Sequence, residues 1–166
     1  MPELTPLENL QPCLLDRLTD DAPGQPQESR SERVISLGRY KEAVMRDLIW
    51  LFNSIAHPPE DEIHKFPNAA SSVMNFGCRS LCGLTRGNID LAELERHLTA
   101  VIREFEPRII PQTVTVHASA GEWDRSLLTF EIKGELWAKP IPEQLWLKTV
   151  VDLDTGRFLF GDRLHE

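Results

Sequence analysis

Cys78 and Cys82 stand in CxxxC spacing, which suits a zinc ion only if two further thiolates or imidazoles complete the set. The third cysteine, Cys13, is far away in sequence. The five histidines (His57, His64, His97, His117 and His165) share no ligand spacing on a common element. Three scattered cysteines are not a disulfide framework. Free thiols, buried or half-buried, are therefore expected, with no metal and no cofactor; a small metal module on Cys78, Cys82 and nearby histidines is the weaker option. Nucleophile, metalloprotease, phosphate-loop and dinucleotide motifs (GxSxG, HExxH, Walker A, GxGxxG) do not occur. Glycoside hydrolysis needs two carboxylates flanking a cleft, one with a raised pKa. Of the 26 acids, most lie instead in the N-terminal stretch, around Glu60-Asp61-Glu62 or on polar helix faces. No catalytic residue is assigned.

One short segment has the right types for recognition. In Glu106-Pro107-Arg108, the proline fixes its own φ and keeps Glu106 out of the helical region. An extended backbone there points Glu106 and Arg108 to the same side. Arg108 also falls just past a helix C-terminus, where a cation is favoured. Two readings stay open. The segment is either a helix stop with a local ion pair worth at most about 1 kcal/mol, or a rigid element that offers a guanidinium for bidentate contacts.

The surrounding periodicities say what positions these residues. Leu37, Tyr40, Val44, Leu48, Leu51, Phe52 and Ile55 recur at three- and four-residue spacing. They predict a core-facing helix of about 20 residues, capped by Ser36 and ended by Pro58-Pro59. Ser71 to Phe76 is compatible with a short extended piece before Gly77 turns the chain. Gly83 and Gly87 exclude a long helix there. Asp90 and Glu93 form a capping-box pattern, and Ile89 and Leu94 a hydrophobic staple. Leu91, Leu94, Leu98, Val101, Ile102 and Phe105 make the apolar face that Pro107 terminates.

After Pro111 the period becomes two. Val114, Val116 and Ala118 alternate with Thr113, Thr115 and His117. Leu128, Phe130, Ile132 and Leu136 alternate with Thr129, Glu131, Lys133 and Glu135. Leu145, Leu147, Val151 and Leu153 share a face, and Asp154-Thr155-Gly156 turns into Arg157 to Phe160. These predict antiparallel strands with one apolar face. The expected fold is α+β in two layers, N-terminal helices packed on a small, mainly antiparallel sheet. Trp123, Trp137 and Trp146 lie in or beside strands, and an exposed edge would invite strand addition.

The chain of 166 residues suits one domain, over 36–166, preceded by an arm over 1–35. The arm holds seven acids and three arginines and carries half of the net charge of −8. Its one short amphipathic segment is Leu14, Leu15 and Leu18; Asp20 to Arg33 has too little apolar surface to order itself. An acidic chain is repelled by phosphate backbones, so nucleic acid is not an expected partner. Met1-Pro2-Glu3-Leu4-Thr5-Pro6 lacks the features of a secretory signal, and no 18-residue apolar run occurs, so a cytoplasmic location without membrane insertion is expected.

Five segments, in order, carry a resemblance. They are Leu14-Leu15-Asp16-Arg17-Leu18-Thr19-Asp20, Arg46-Asp47-Leu48-Ile49-Trp50-Leu51-Phe52-Asn53-Ser54, Ser72-Val73-Met74-Asn75-Phe76-Gly77, Ile102-Arg103-Glu104-Phe105-Glu106-Pro107-Arg108-Ile109 and Leu145-Trp146-Leu147-Lys148-Thr149-Val150-Val151-Asp152-Leu153-Asp154-Thr155-Gly156. Together they resemble the TssE family of type VI secretion baseplate subunits, kin of the GPW-type baseplate wedge proteins of tailed phages. Cys78-Arg79-Ser80 departs from the Leu-Pro-Asp that usually follows in the family, so expectations about that loop's contacts do not carry over.

The resemblance implies a structural, non-enzymatic subunit at the inner face of the cell envelope. Glu106, Pro107 and Arg108 would dock on the wedge core, and the patch of Leu14, Leu15 and Leu18 on a partner. Leu145, Leu147, Thr149, Val151 and Leu153 would lie on the strand that pairs with sheath. The implied partners are the wedge proteins TssF, TssG and TssK and the sheath proteins TssB and TssC. A lysozyme-like label carried by some relatives supplies the alternative, a peptidoglycan hydrolase; the missing export signal argues against it.

Overall fold

A computed structural model describes residues 10, 12–19, 35–84, 88–119, 126–138 and 141–160. The acidic stretch Asp20 to Arg33, Gly87, Trp123 and His165 lie outside the described residues. The helices are α1 (Leu14–Leu18), α2 (Leu37–Asn53), α3 (Pro67–Ala70) and α4 (Leu91–Phe105). The strands are β1 (Thr115–Ala118), β2 (Leu127–Leu136), β3 (Glu143–Asp152) and β4 (Arg157–Phe160).

The strands form one antiparallel meander in the order β1-β2-β3-β4. Side chains alternate across a strand, so one face collects Val116, Leu128, Phe130, Ile132, Leu147, Val151, Phe158 and Phe160, all buried. Burying one such side chain fully is worth about 1.5–3 kcal/mol. The helices lie on this face, α4 against β1 and α2 against β4. The Phe52 ring sits 5.1 Å from that of Phe158 and 5.7 Å from that of Phe160. The fold is α+β, in two layers, as the periodicities predict.

Helix α2 starts where expected, with Ser36 Oγ accepting the Arg39 N–H at 3.3 Å. It ends earlier than Pro58-Pro59. Asn53 pairs its side-chain amide with both backbone groups of Phe158, each at 3.0 Å, which ties the helix end to β4. Ser54 is already extended. Ile55 is exposed rather than in the core, and it bridges to Cys78. Gly77 lets this bridge form: its φ is +138°, and a Cβ there would stand 2.5 Å from the Ser54 carbonyl oxygen.

Between the bridge strands the chain makes α3 and two 3₁₀ turns, Glu62–Lys65 and Val73–Asn75. The expected extended piece at Ser71 to Phe76 is absent, because the Ser72 hydroxyl accepts the Met74 N–H and caps a turn. In α4, Asp90 Oδ1 accepts the Glu93 N–H at 3.1 Å. Glu93 turns its carboxylate to Arg79 at 2.6 Å, so only this half of the capping box is made. Leu94, Leu98, Val101 and Ile102 are buried, whereas Leu91, one turn earlier, is exposed.

Candidate functional site

Pro107 has the effect its geometry dictates. Helix α4 stops at Phe105, and Glu106 caps it with φ −117° and ψ 82°. The chain then runs along the end of β2. The Arg108 carbonyl accepts the Trp137 N–H and the Ile110 N–H donates to the Glu135 carbonyl, both at 2.8 Å. Ile109 bridges to Leu136, and its Cγ2 methyl would stand 2.8 Å from a Cβ on Gly134, too close for any side chain there. The turn is thus sewn to the sheet on one side.

On the other side Glu106 and Arg108 meet. The carboxylate accepts the Arg108 N–H at 3.1 Å, its Nε at 2.7 Å and its Nη2 at 2.5 Å. Arg108 Nη2 also donates to Asp47 Oδ2 at 2.6 Å. Asp47 Oδ1 takes Arg46 Nε at 2.9 Å, and Arg46 Nη1 reaches Asp16 Oδ1 at 2.7 Å. Asp16 Oδ2 then accepts the Cys13 thiol at 2.9 Å. Five charged side chains therefore run in alternating sign from the Glu-Pro-Arg turn, over α2, to α1. The Arg46 guanidinium also lies 5.2 Å from the centre of the Trp50 ring, a cation–π contact.

Burial corrects one expectation. The Glu106 side chain is 4% exposed and that of Arg108 17%. The small value of an exposed ion pair does not apply to such a pair. Burial disfavours the charged Arg108, but Glu106 and then Asp47 outweigh it and raise its pKa. Burial likewise pushes Asp16 up, and the hydrogen bonds from Cys13 and Arg46 outweigh that and hold it below its usual value. Tyr40, whose hydroxyl donates to the Trp137 carbonyl at 3.2 Å, is raised chiefly by burial. Arg108 Nη1 and Arg46 Nη2 are buried and have no hydrogen-bond partner among the described residues.

The other predicted residues fall into two groups. Leu14 and Leu18 are 70% and 74% exposed on α1, with Leu15 exposed beside them. Leu10, just before, lies in the core, and its carbonyl accepts the Ile35 N–H at 3.0 Å. Leu145, Leu147, Thr149, Val151 and Leu153 are all buried. The first four lie on β3 and Leu153 just past its end; β3 runs between β2 and β4, but β4 covers only Thr149 to Asp152. Among the described residues, Glu143 to Lys148 have a ladder partner on the β2 side alone.

The opposite edge is different. Register places the backbone groups of Val114, Val116 and Ala118 outward from β1, because the Ser119 N–H bonds to the Thr129 carbonyl. Glu95 Oε1 accepts the Ala118 N–H at 2.6 Å, and Arg103 donates to the Val114 carbonyl at 3.1 Å. Two side chains of α4 thus occupy the β1 edge.

Cys78 is buried, and burial pushes its thiol up to about 12, so it stays protonated. Cys82 is exposed, contrary to the half-buried expectation, and donates to the Asp154 carbonyl. Among the described residues, no group of three His, Cys, Asp or Glu could hold a metal ion. His97 is half-buried, and its Nε2 accepts the Arg79 N–H at 3.2 Å, which pins the divergent Cys78-Arg79-Ser80 loop to α4. The carboxyl groups of Asp61 and Asp152 are held low by hydrogen bonds, from His57 and Thr155 first. A general acid needs the reverse. Among the described residues, no helix is long and apolar enough to cross a membrane.

Sequence reasoning missed Asp47, Arg46 and Asp16. The adjacent Arg46-Asp47 pair beside a core helix face was the available signal, but nothing local joins it to a turn 61 residues on.

These contacts make the Glu-Pro-Arg turn a buried, charge-paired junction that is linked through α2 to α1. The family model of baseplate wedge protein gp25 matches residues 39–141, well over half of the chain, and the chain belongs to that family of structural baseplate proteins. No curated protein and no solved structure matches it.

Proposed function

We propose that the chain is a TssE-type wedge subunit of a type VI secretion baseplate. It docks on the wedge core formed with TssF, TssG and TssK through the Glu106-Pro107-Arg108 corner and the α1 leucines. Its β3–β4 side joins the wedge to the TssB–TssC sheath. The observation that carries this reading is the family match over residues 39–141, which contains the whole Glu-Pro-Arg corner. The exposed Leu14 and Leu18 support it, on a segment held to α2 by the Asp16–Arg46 pair.

Arg108 cannot be the clean probe of docking, because it is also part of the internal cluster. Leu14→Asp with Leu18→Asp is the better variant, since both side chains are exposed and single surface changes rarely cost more than about 0.5 kcal/mol. The double variant is expected to keep the wild-type unfolding midpoint and to lose co-purification with co-expressed TssF, TssG and TssK. Unchanged co-purification would refute docking through α1.

A further inference from the structure

We propose that Asp47 is a positioning residue for the docking surface proposed above, one carboxylate that makes the orientation of α1 depend on the Glu-Pro-Arg turn. Its two oxygens are divided between two arginines. Oδ2 holds Arg108 at 2.6 Å, and Oδ1 holds Arg46 at 2.9 Å. Arg108 belongs to the turn. Arg46 belongs to α1 through Asp16, at 2.7 Å.

Helix α1 needs such an anchor. It has five residues, far fewer than the roughly 12–15 at which an isolated helix becomes even marginal. None of its residues is buried. Its described side-chain link to the domain is the Asp16–Arg46 pair, and the packed chain nearest to it is Leu10. Arg46 is steered from three sides: by Asp16, by Asp47 and by the Trp50 ring. Losing Asp47 frees its guanidinium to swing, and α1 with it. The hydrogen bonds of Arg108 described above do not reach α1, so any effect of Arg108 on α1 travels through Asp47.

The test is NMR relaxation of the backbone amides of residues 14–18 in the full chain, with Phe130 and Val151 as core references. In the wild type, α1 is expected to be ordered, with order parameters near about 0.85. Asp47→Asn and Arg108→Ala, each alone, are expected to lower those of α1 to below about 0.6 and to leave the core references unchanged. Adding Asp16→Asn to Arg108→Ala should lower them no further, because both cut one chain. Glu143→Gln breaks the Lys41–Glu143 pair outside the cluster and should leave α1 ordered.

An α1 already mobile in the wild type overturns the proposal. So does an α1 that stays ordered in Arg108→Ala, or effects of Asp16→Asn and Arg108→Ala that simply add. Wedge binding is read separately, on the Leu14→Asp, Leu18→Asp variant. Retained binding there sinks docking through α1 without touching the positioning result, and an ordered α1 in Asp47→Asn does the reverse.

Discussion

Arg108→Ala should destabilise the domain more than Glu106→Ala, and replacing both should cost less than Arg108→Ala alone. The Glu106 carboxylate is 4% exposed and accepts three hydrogen bonds from Arg108, two of them from the guanidinium. Removing that guanidinium leaves a buried anion with one backbone N–H. Breaking a buried pair in this way costs about 3–5 kcal/mol, and the near-complete burial of Glu106 places Arg108→Ala in that range. Glu106→Ala is milder. Arg108 keeps Asp47 and has 17% of its side chain in solvent, so about 2–3 kcal/mol is expected. In Glu106→Leu with Arg108→Met, no unpaired charge is left at the turn, and Asp47 keeps Arg46. Urea unfolding followed by tryptophan fluorescence and far-UV circular dichroism measures all three. With a slope of about 2 kcal/mol/M, Arg108→Ala should lower the midpoint by roughly 1.5–2.5 M. A shift in Arg108→Ala within about 1 kcal/mol of the wild type, the value of an exposed pair, would refute the burial argument. So would a double variant less stable than Arg108→Ala.

Two further outcomes follow from single contacts. Gly77→Ala combines a strained φ of +138° with a clash against the Ser54 backbone. It should cost at least about 3 kcal/mol, a fall of roughly 6–12 °C in Tm, and a change of under about 1 kcal/mol would contradict it. His97 is held below its ordinary pKa by burial first and then by the Arg79 charge, partly offset by Glu93. The unfolded chain therefore takes up this proton first as the pH falls. The stability linked to neutral His97 is complete above its unfolded pKa of about 6.5 and is lost as the pH drops towards the folded value. Unfolding at pH 7.5 and 5.5 should show a steeper loss in the wild type than in His97→Gln; equal slopes would count against a His97 held neutral by burial and the Arg79 charge.

What the sequence made legible was local. The alternation in Leu127 to Leu136 and the stripe Leu94, Leu98, Val101, Ile102 predict β2 and α4 because each period is set within one element. Ser36, Asp90 and Pro107 act where they stand. The end of α2 was not legible, because Asn53 stops it by pairing with Phe158, 105 residues away. Leu10 and Ile35 carry no periodicity, yet they close a bridge in the core. The Glu-Pro-Arg turn was readable as a rigid corner with its two side chains on one side. Its burial and its reach to Asp16 were not, since they depend on where the sheet places α2 relative to the turn and on one carboxylate serving two arginines.

The β1 edge, filled by Glu95 and Arg103, has a consequence for growth. A sheet with two open edges can be extended from either side, and copies of it can pair with one another without end. Here two backbone groups of one edge are already taken by side chains of the molecule's own helix. A chain adding on this side would first have to displace Glu95 and Arg103, so any strand that extends the sheet is expected on the β3–β4 side.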